Sequence, residues 1–269
     1  FNTNAGALNA RASALRATSN MERAMERLSS GVRVNSAADD AAGLAVAGKM
    51  ESQLRGINMS IRNAQDGVGL IQTAESGLNE IRNMVLRIRE LAVQMANGIY
   101  EDTPDRSNAQ LEVTALIDQV TLIAENTRFN DVQIIDGSFT GVTIQAGNTT
   151  AETITLSFVD MASSGLSIHA ATVATQSDAK VAIGTMDTAL QTISQEQAKF
   201  GSLINRLDYS ISNQSRASVM TEQALGRIMD ADFATESTAL SKSQILNQAA
   251  TSMLAQANQS KSLLLQLIQ

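Results

Sequence analysis

Between Ile57 and Met95, apolar side chains return in steps of three and four: Ile57, Ile61, Ala64, Val68, Ile71, Ala74, Leu78, Ile81, Val85, Ile88, Ala92 and Met95. That spacing lays one apolar stripe along a helix. No proline breaks it, because the single proline of the chain is Pro104. At 1.5 Å per residue a helix over this span runs ~58 Å, longer than a small compact domain is wide. The spacing therefore predicts a rod-like, mainly helical molecule, and the helical signal extends from Leu44 to Ala96.

Both ends of the chain repeat the pattern. Near the start, apolar residues fall at Leu8, Ala12, Leu15, Met21, Met25, Leu28 and Val32. Near the end they fall at Leu246, Ala250, Met253, Ala257, Leu264 and Ile268. A lone helix with a narrow apolar stripe is marginal in water, since packing supplies most of its stability. The two ends are therefore expected to pack on each other or on other copies of the chain. Leu8, Leu15, Met25, Leu28, Leu246, Met253, Leu264 and Ile268 form the predicted polymerisation seam. Composition agrees with thin helix–helix contacts. Aromatic residues are only 3% of the chain, while Ala, Leu, Ile, Val and 11 Met carry the apolar content.

Breaks in the pattern organise the rest. Ser29-Ser30-Gly31 offers a helix stop, because glycine takes a left-handed cap readily. Residues 32–43 read as a polar linker, with Asp39 or Asp40 capping the next helix. Thr103-Pro104 suits the start of a further helix, buried through Leu111, Ala115, Leu116, Val120, Ile123 and Ala124. After Phe129 the period changes to two, at Val142, Ile144 and Ala146 and at Ile154, Leu156 and Phe158. Asp136-Gly137 reads as a tight turn. Asp178 is expected to cap a return helix that runs to Ile211, with a weakened pattern from Ser212 to Ser218. The expected fold is an elongated antiparallel bundle of long helices with a terminal coiled coil and a small β-hairpin region in mid-chain. Its expected segments are 1–43, 44–135, 136–177, 178–225 and 226–269, with 136–177 at an outer tip in which deletion of Thr149–Thr175 should be tolerated.

The chemistry of the chain is sparse. With no Cys, disulfides, thiolate metal sites and cysteine nucleophiles are excluded. A net charge of −7 is the wrong sign for a phosphate-binding surface, so nucleic acid is not an expected partner. No stretch approaches the ~20 apolar residues of a membrane-spanning helix. No signal peptide is visible, and the start lacks an initiator Met, so a processed or trimmed N-terminus is expected. His169 is the only histidine and is read as a surface residue. Asp39-Asp40 and Asp230/Asp232 are read as helix caps, not metal ligands. Asp66-Gly67-Val68-Gly69 fails the dinucleotide pattern and lies in a helical run. No cofactor, metal or catalytic site is expected.

Several strings resemble bacterial flagellin. They include Phe1-Asn2-Thr3-Asn4, the run from Glu26 to Ala37 with Asp39 to Gly43, and Arg62-Asn63-Ala64 with Asp66-Gly67. Arg89 to Gln94, Thr127-Arg128-Phe129-Asn130 and Ala255 to Gln259 are similar to the family as well. The resemblance covers residues 1–136 and 178–269 and is that of a minimal form with a short variable middle. The close, Ser260 to Gln269, lacks the family's usual proline.

This resemblance implies a structural subunit that self-assembles into the helical flagellar filament. It implies terminal helices lining the inner channel and long helices forming the tube wall. It implies export by the flagellar type III apparatus, an extracellular location, and filament cap, hook-junction and cytoplasmic chaperone proteins as partners. An animal Toll-like receptor is a further implied partner, with Arg87, Leu91 and Glu112 matching its epitope or serving contacts between subunits. Hook–filament junction proteins share the terminal design and form the alternative. A surface hydrolase is disfavoured, because a short middle with one histidine cannot easily enclose a pocket of ~300 Å³.

Overall fold

The computed structural model describes residues 3–266, with side-chain surroundings through residue 260. The chain is mainly α-helical and divides into two compact units, Phe1–Leu54 with Val219–Gln269, and Arg55–Ser218. Both divisions fall inside long helices, α2 (Ala41–Met95) and α4 (Gln176–Met229).

In the first unit, α1 (Ala5–Ser30) pairs with α5 (Phe233–Gln266). The pairing is antiparallel: Asn4 Nδ2 donates to Ala257 O at 3.0 Å, Asn247 Nδ2 to Thr18 Oγ1 at 2.6 Å, and Arg27 Nη1 to Glu236 Oε1 at 3.0 Å. Small residues make the seam, with Ala17, Ala24, Ser243 and Ala250 buried. Alanine lets two helix axes approach closely, so the Ala face wins this contact over the bulkier Leu8 and Leu15 on the far side of α1. Gly31 ends α1 in the left-handed region (φ 72°), its N–H donating to Arg27 O. Such a φ is costly for residues with a Cβ.

The expected polar linker is strapped down, not free. Arg33 N donates to Met229 O at 2.6 Å, Ala231 N to Gly31 O at 3.0 Å, and Arg33 Nη2 to Ile228 O at 2.6 Å. Val34, its lone well-buried apolar residue, is packed inside. Asp40 caps α2 by accepting from Gly43 N at 2.8 Å. Asp232 caps α5, whereas Asp230 pairs with Val32 in an isolated bridge and caps nothing.

In the second unit, α2 and α4 run antiparallel. Ser218 Oγ donates to Asn58 Oδ1, Gln197 Nε2 to Asn79 Oδ1, and Arg89 Nε to Asp187 Oδ1. The residue numbers in each pair have the same sum, so the register holds without slip. Ile71, Leu78, Ile81, Val85 and Ile88 of α2 are fully buried, as are Met186, Ile193, Phe200 and Leu207 of α4. α3 (Ser107–Asn126) adds Val113, Val120 and Ala124. Leu111 and Ala115, expected inside, are exposed, because Val113 and Ile117 already face the core. Thr175, not Asp178, is the N-cap of α4. Its hydroxyl accepts from Asp178 N at 3.1 Å and donates to the Asp178 carboxylate at 2.7 Å. α4 stays helical through Ser212–Ser218: the pattern there loses a packing face, not the helix.

Two small hairpins complete this unit. β1 (Arg128–Phe129) and β2 (Val132–Gln133) join through Asn130 and Asp131, both at positive φ, as a two-residue hairpin turn demands. The expected turn at Asp136-Gly137 is instead a bend held by Ser138 N and Oγ on the Asp136 carboxylate. β3 (Val142–Gln145) and β4 (Thr153–Leu156) pair antiparallel. This hairpin does not project clear of the helices. It lies on the helices: Ser210 Oγ donates to Ala146 O, Asn63 Nδ2 to Gln145 O, and a Cβ on Gly67 would collide with Ile144 Cδ1. Gly67, met in sequence as part of a glycine motif, leaves room for the hairpin.

The turn after α2 is fixed by Arg106, a buried guanidinium the sequence reading missed. Its Nε donates to Met95 O at 2.9 Å, Nη2 to Asn97 O at 2.8 Å, and Nη1 to Tyr100 O and Asp102 Oδ1. It satisfies carbonyls that the end of a helix leaves open. Arg106→Ala should lower the stability of this unit by about 3 kcal/mol, since several acceptors lose a charged donor at once. Arg106→Lys should recover little, because an ammonium cannot span the same fork. Urea unfolding followed by circular dichroism measures both. No helix among the described residues is long and apolar enough to cross a membrane.

Candidate functional site

The apolar stripe read from α1 splits in two. Leu28 is half-buried with Met21 beside the alanine seam. Leu8 and Leu15 point away from α5 and are 54% and 62% exposed, while Met25 is exposed to one side of the seam. On α5, Ala250 is buried, but Leu246 and Met253 are 49% and 65% exposed. The side chain of Leu264, and Ile268, lie outside the described residues. Beside the seam runs a groove of about 640 Å³, lined by Gly6, Ala10, Ser13, Leu246, Ala249 and Met253 among others. From Ser237 to Ser260, α5 carries one charged residue, Lys242, in a chain that is 17% charged. Such depletion of charge on an exposed helix is a mark of an interface core.

The end of this unit opposite the groove is polar. Asp232 accepts from Ala234 N at 2.9 Å, Thr235 N at 3.3 Å and Thr235 Oγ1 at 3.0 Å. The Thr235 hydroxyl, then the backbone N–H groups, hold its pKa below the ordinary 3.8. Asp39 is lowered likewise, chiefly by the Ser36 hydroxyl. A carboxylate with a depressed folded pKa stabilises above its unfolded value and loses that contribution as pH falls through the folded one. Protection of the Ala234 and Thr235 amides should therefore drop on acidification below pH 3.8. Amide exchange, corrected for intrinsic rates, tests this.

In the second unit the structure brings Arg87, Leu91 and Glu112 to one shallow groove of about 350 Å³, with Gln94, Tyr100 and Asp105. Arg87 Nε donates to Glu112 Oε1 at 2.9 Å, and Nη1 reaches Glu90 at 3.4 Å. The Glu112 carboxylate, through its hydrogen bond and then its charge, raises the guanidinium pKa. Leu91 corrects the sequence reading. It is 4% exposed, because it shares the inward face with Ile88, Ala92 and Met95. Only Arg87 and Glu112 offer a partner their side chains. His169 is exposed. Among the described residues no group of three or more His, Asp or Glu side chains is placed to hold a metal.

A terminal helix pair that leaves leucines and methionines uncovered suits assembly, and comparison gives the chain a family. Residues 1–140 match the bacterial flagellin N-terminal helical region, and residues 183–268 the bacterial flagellin C-terminal helical region. The chain belongs to the bacterial flagellin family. A flagellin of Halalkalibacterium halodurans is 39% identical over 251 residues, covering 92% of this chain and 91% of that protein. The flagellar filament 31.3 kDa core protein of Treponema maltophilum is 38% identical over 261 residues, covering 91% of each. A crystal structure of Bacillus cereus flagellin matches with a TM-score of 0.52 at 33% identity, over 57% of this chain and 88% of that one. A putative flagellar hook-associated protein from Vibrio parahaemolyticus reaches a TM-score of 0.60 over 71% of this chain and 100% of that one, at 13% identity, a likeness of fold alone.

As a flagellin the chain is a structural filament subunit that associates with itself, and not an enzyme. Arg87 then matters as surface and not as core. Arg87→Asp should leave the melting temperature of the monomer nearly unchanged, because an exposed ion pair contributes little. It should still reduce polymer yield, since Arg at a contact surface often carries binding energy. Melting curves and sedimentation of the assembled fraction check the two halves.

Proposed function

We propose that this flagellin polymerises through its terminal helices outside the cell. Residues 1–43 and 226–269 form the inner layer around a channel, and 44–135 with 178–225 the wall outside it. Leu8, Leu15, Met25, Leu28, Leu246 and Met253, with Leu264 and Ile268, make the contacts between copies. The observation that carries this reading is the exposure of Leu8, Leu15, Leu246 and Met253, the last two on a stretch of α5, Ser237 to Ser260, whose one charged residue is Lys242. The subunit reaches the growing end through the flagellar type III apparatus, after a cytoplasmic chaperone has covered its terminal helix. A cap protein then guides assembly at the distal tip, and junction proteins join the filament to the hook. The Arg87–Glu112 rim serves contacts between subunits and is open to an animal Toll-like receptor.

Salt-induced assembly of the purified protein, followed by electron microscopy, tests the central statement. Helical filaments with a central channel are expected. Limited proteolysis should trim both ends of the monomer and spare them in the polymer, because their burial is coupled to assembly. Amorphous aggregates, or equal trimming in both states, would refute the reading.

A further inference from the structure

The outward stripe and the groove sit on different sides of the α1/α5 pair. At about 100° per residue, Ala17 and Ala24 lie roughly 160–180° round α1 from Leu8. These alanines are buried in the seam with α5, so Leu8 and Leu15 face away from that helix. The groove instead opens beside the seam, between Gly6, Ala10 and Ser13 of α1 and Leu246, Ala249 and Met253 of α5. A chain cannot seat its own stripe in its own groove.

The spacings of the two features agree. Leu8 and Leu15 are seven residues apart, and so are Leu246 and Met253. Both pairs repeat every two helical turns, about 10.5 Å. The α1 wall of the groove is built of small residues, which leave room for a branched side chain. The stripe is apolar with Arg11 and Arg16 at its sides, and no acid stands between Asn4 and Asn20 to oppose them.

We infer that the Leu8/Leu15 stripe of one copy seats in the α1/α5 groove of the next. The occupant is a second copy of this chain, and the inference rests on the polymerisation read above. A contact between two unlike surfaces of the same molecule does not close on itself as a twofold dimer does. It continues, and generates an open helical polymer when the rotation fails to close a ring. The direction of docking also follows. Rotation about a filament axis and translation along it leave every copy pointing the same way. The α1 helix of one copy then runs antiparallel to α5 of its neighbour. Leu8 therefore meets Met253, and Leu15 meets Leu246.

The absence of cysteine makes this directly testable. Leu8→Cys and Met253→Cys are made in separate chains, mixed as monomers, assembled and mildly oxidised. A disulfide needs Cα atoms within roughly 7 Å. About half of the protein, the most that random mixing of the two chains along the polymer allows, should move to a linked dimer on a non-reducing gel. The Leu15→Cys with Leu246→Cys mixture should do the same. The crossed mixtures, Leu8→Cys with Leu246→Cys and Leu15→Cys with Met253→Cys, should stay monomeric on the gel, as should every mixture oxidised before assembly. Filaments without the two expected links, or with the crossed links instead, would overturn this docking and leave the filament reading intact. Failure of the wild-type chain to form filaments would overturn both.

Discussion

A variant lacking residues 149–175, closed with a short linker, is expected to lose the cooperative unfolding of the Arg55–Ser218 unit. Sequence alone pointed the other way, towards a dispensable outer tip. The deleted stretch supplies Leu156, Phe158, Met161, Ile168 and Val173, all at 2% exposure or less. Burial of a large apolar side chain contributes about 1.5–3 kcal/mol. Five of them approach the ~5–15 kcal/mol that a whole domain has to spare. Phe158 also sits between two rings, its centroid 5.1 Å from that of Phe139 and 4.7 Å from that of Phe200. The hydrogen bonds from Val173 N to Gln110 and from Thr121 to Ser163, which tie α3 down, go with it. Circular dichroism should show helix that melts broadly and early. Phe158→Ala gives a graded version, at about 3–5 kcal/mol. A deletion variant that melts like the intact chain would mean that α2, α3 and α4 hold together without this cover.

What could be read in advance depended on whether one residue type has one place to go. The stripe from Ile57 to Met95 was legible because a continuous three–four spacing admits only a helix, and Ile71 to Ala92 are indeed buried. The cap at Gly31 was legible for the same reason, and so was a cap at Asp39 or Asp40, of which Asp40 takes the role: each meets a local need of its own backbone. The fate of β3 and β4 was not. Alternation says that a strand has two faces, but not which helix covers one of them, and the answer lay partly in Gly67. Arg106 was hard to read because, beside the Asp102 carboxylate, its partners are backbone carbonyls of residues 95, 97 and 100, which no side-chain pattern encodes. In α1 the apolar stripe was seen correctly as a helix face. Hydrophobicity alone ranked Leu8 and Leu15 above Ala17 and Ala24 for the seam, whereas close approach of two helices favours the smaller residues.

That inversion leads to the second large effect. The double variant Leu8→Asp with Leu15→Asp is expected to abolish polymerisation while its monomer melts nearly as the wild type does. In the single chain both side chains are more than half exposed, so the new carboxylates stay hydrated. Substitutions at such positions usually change stability by no more than about 0.5 kcal/mol, and Asp costs a helix interior about the same again through its propensity. In a polymer, each copy would have to bury two carboxylates in an apolar groove whose lining carries no base, with only Arg11 and Arg16 at the sides of the stripe. An unpaired polar or charged group taken from water costs several kcal/mol. Each 1.4 kcal/mol is a factor of about ten in affinity, so the concentration needed for assembly rises by several powers of ten. Leu8→Met with Leu15→Met is the control, since it keeps volume and polarity and should still assemble. Sedimentation at rising protein concentration reads the assembly, and thermal melting of the unassembled protein reads the fold. Normal polymer from the Asp variant would show that the stripe is not a contact between copies. A monomer that melts much earlier would show instead that Leu8 and Leu15 pack within their own chain. The methionine control separates either result from a general sensitivity of this helix to substitution.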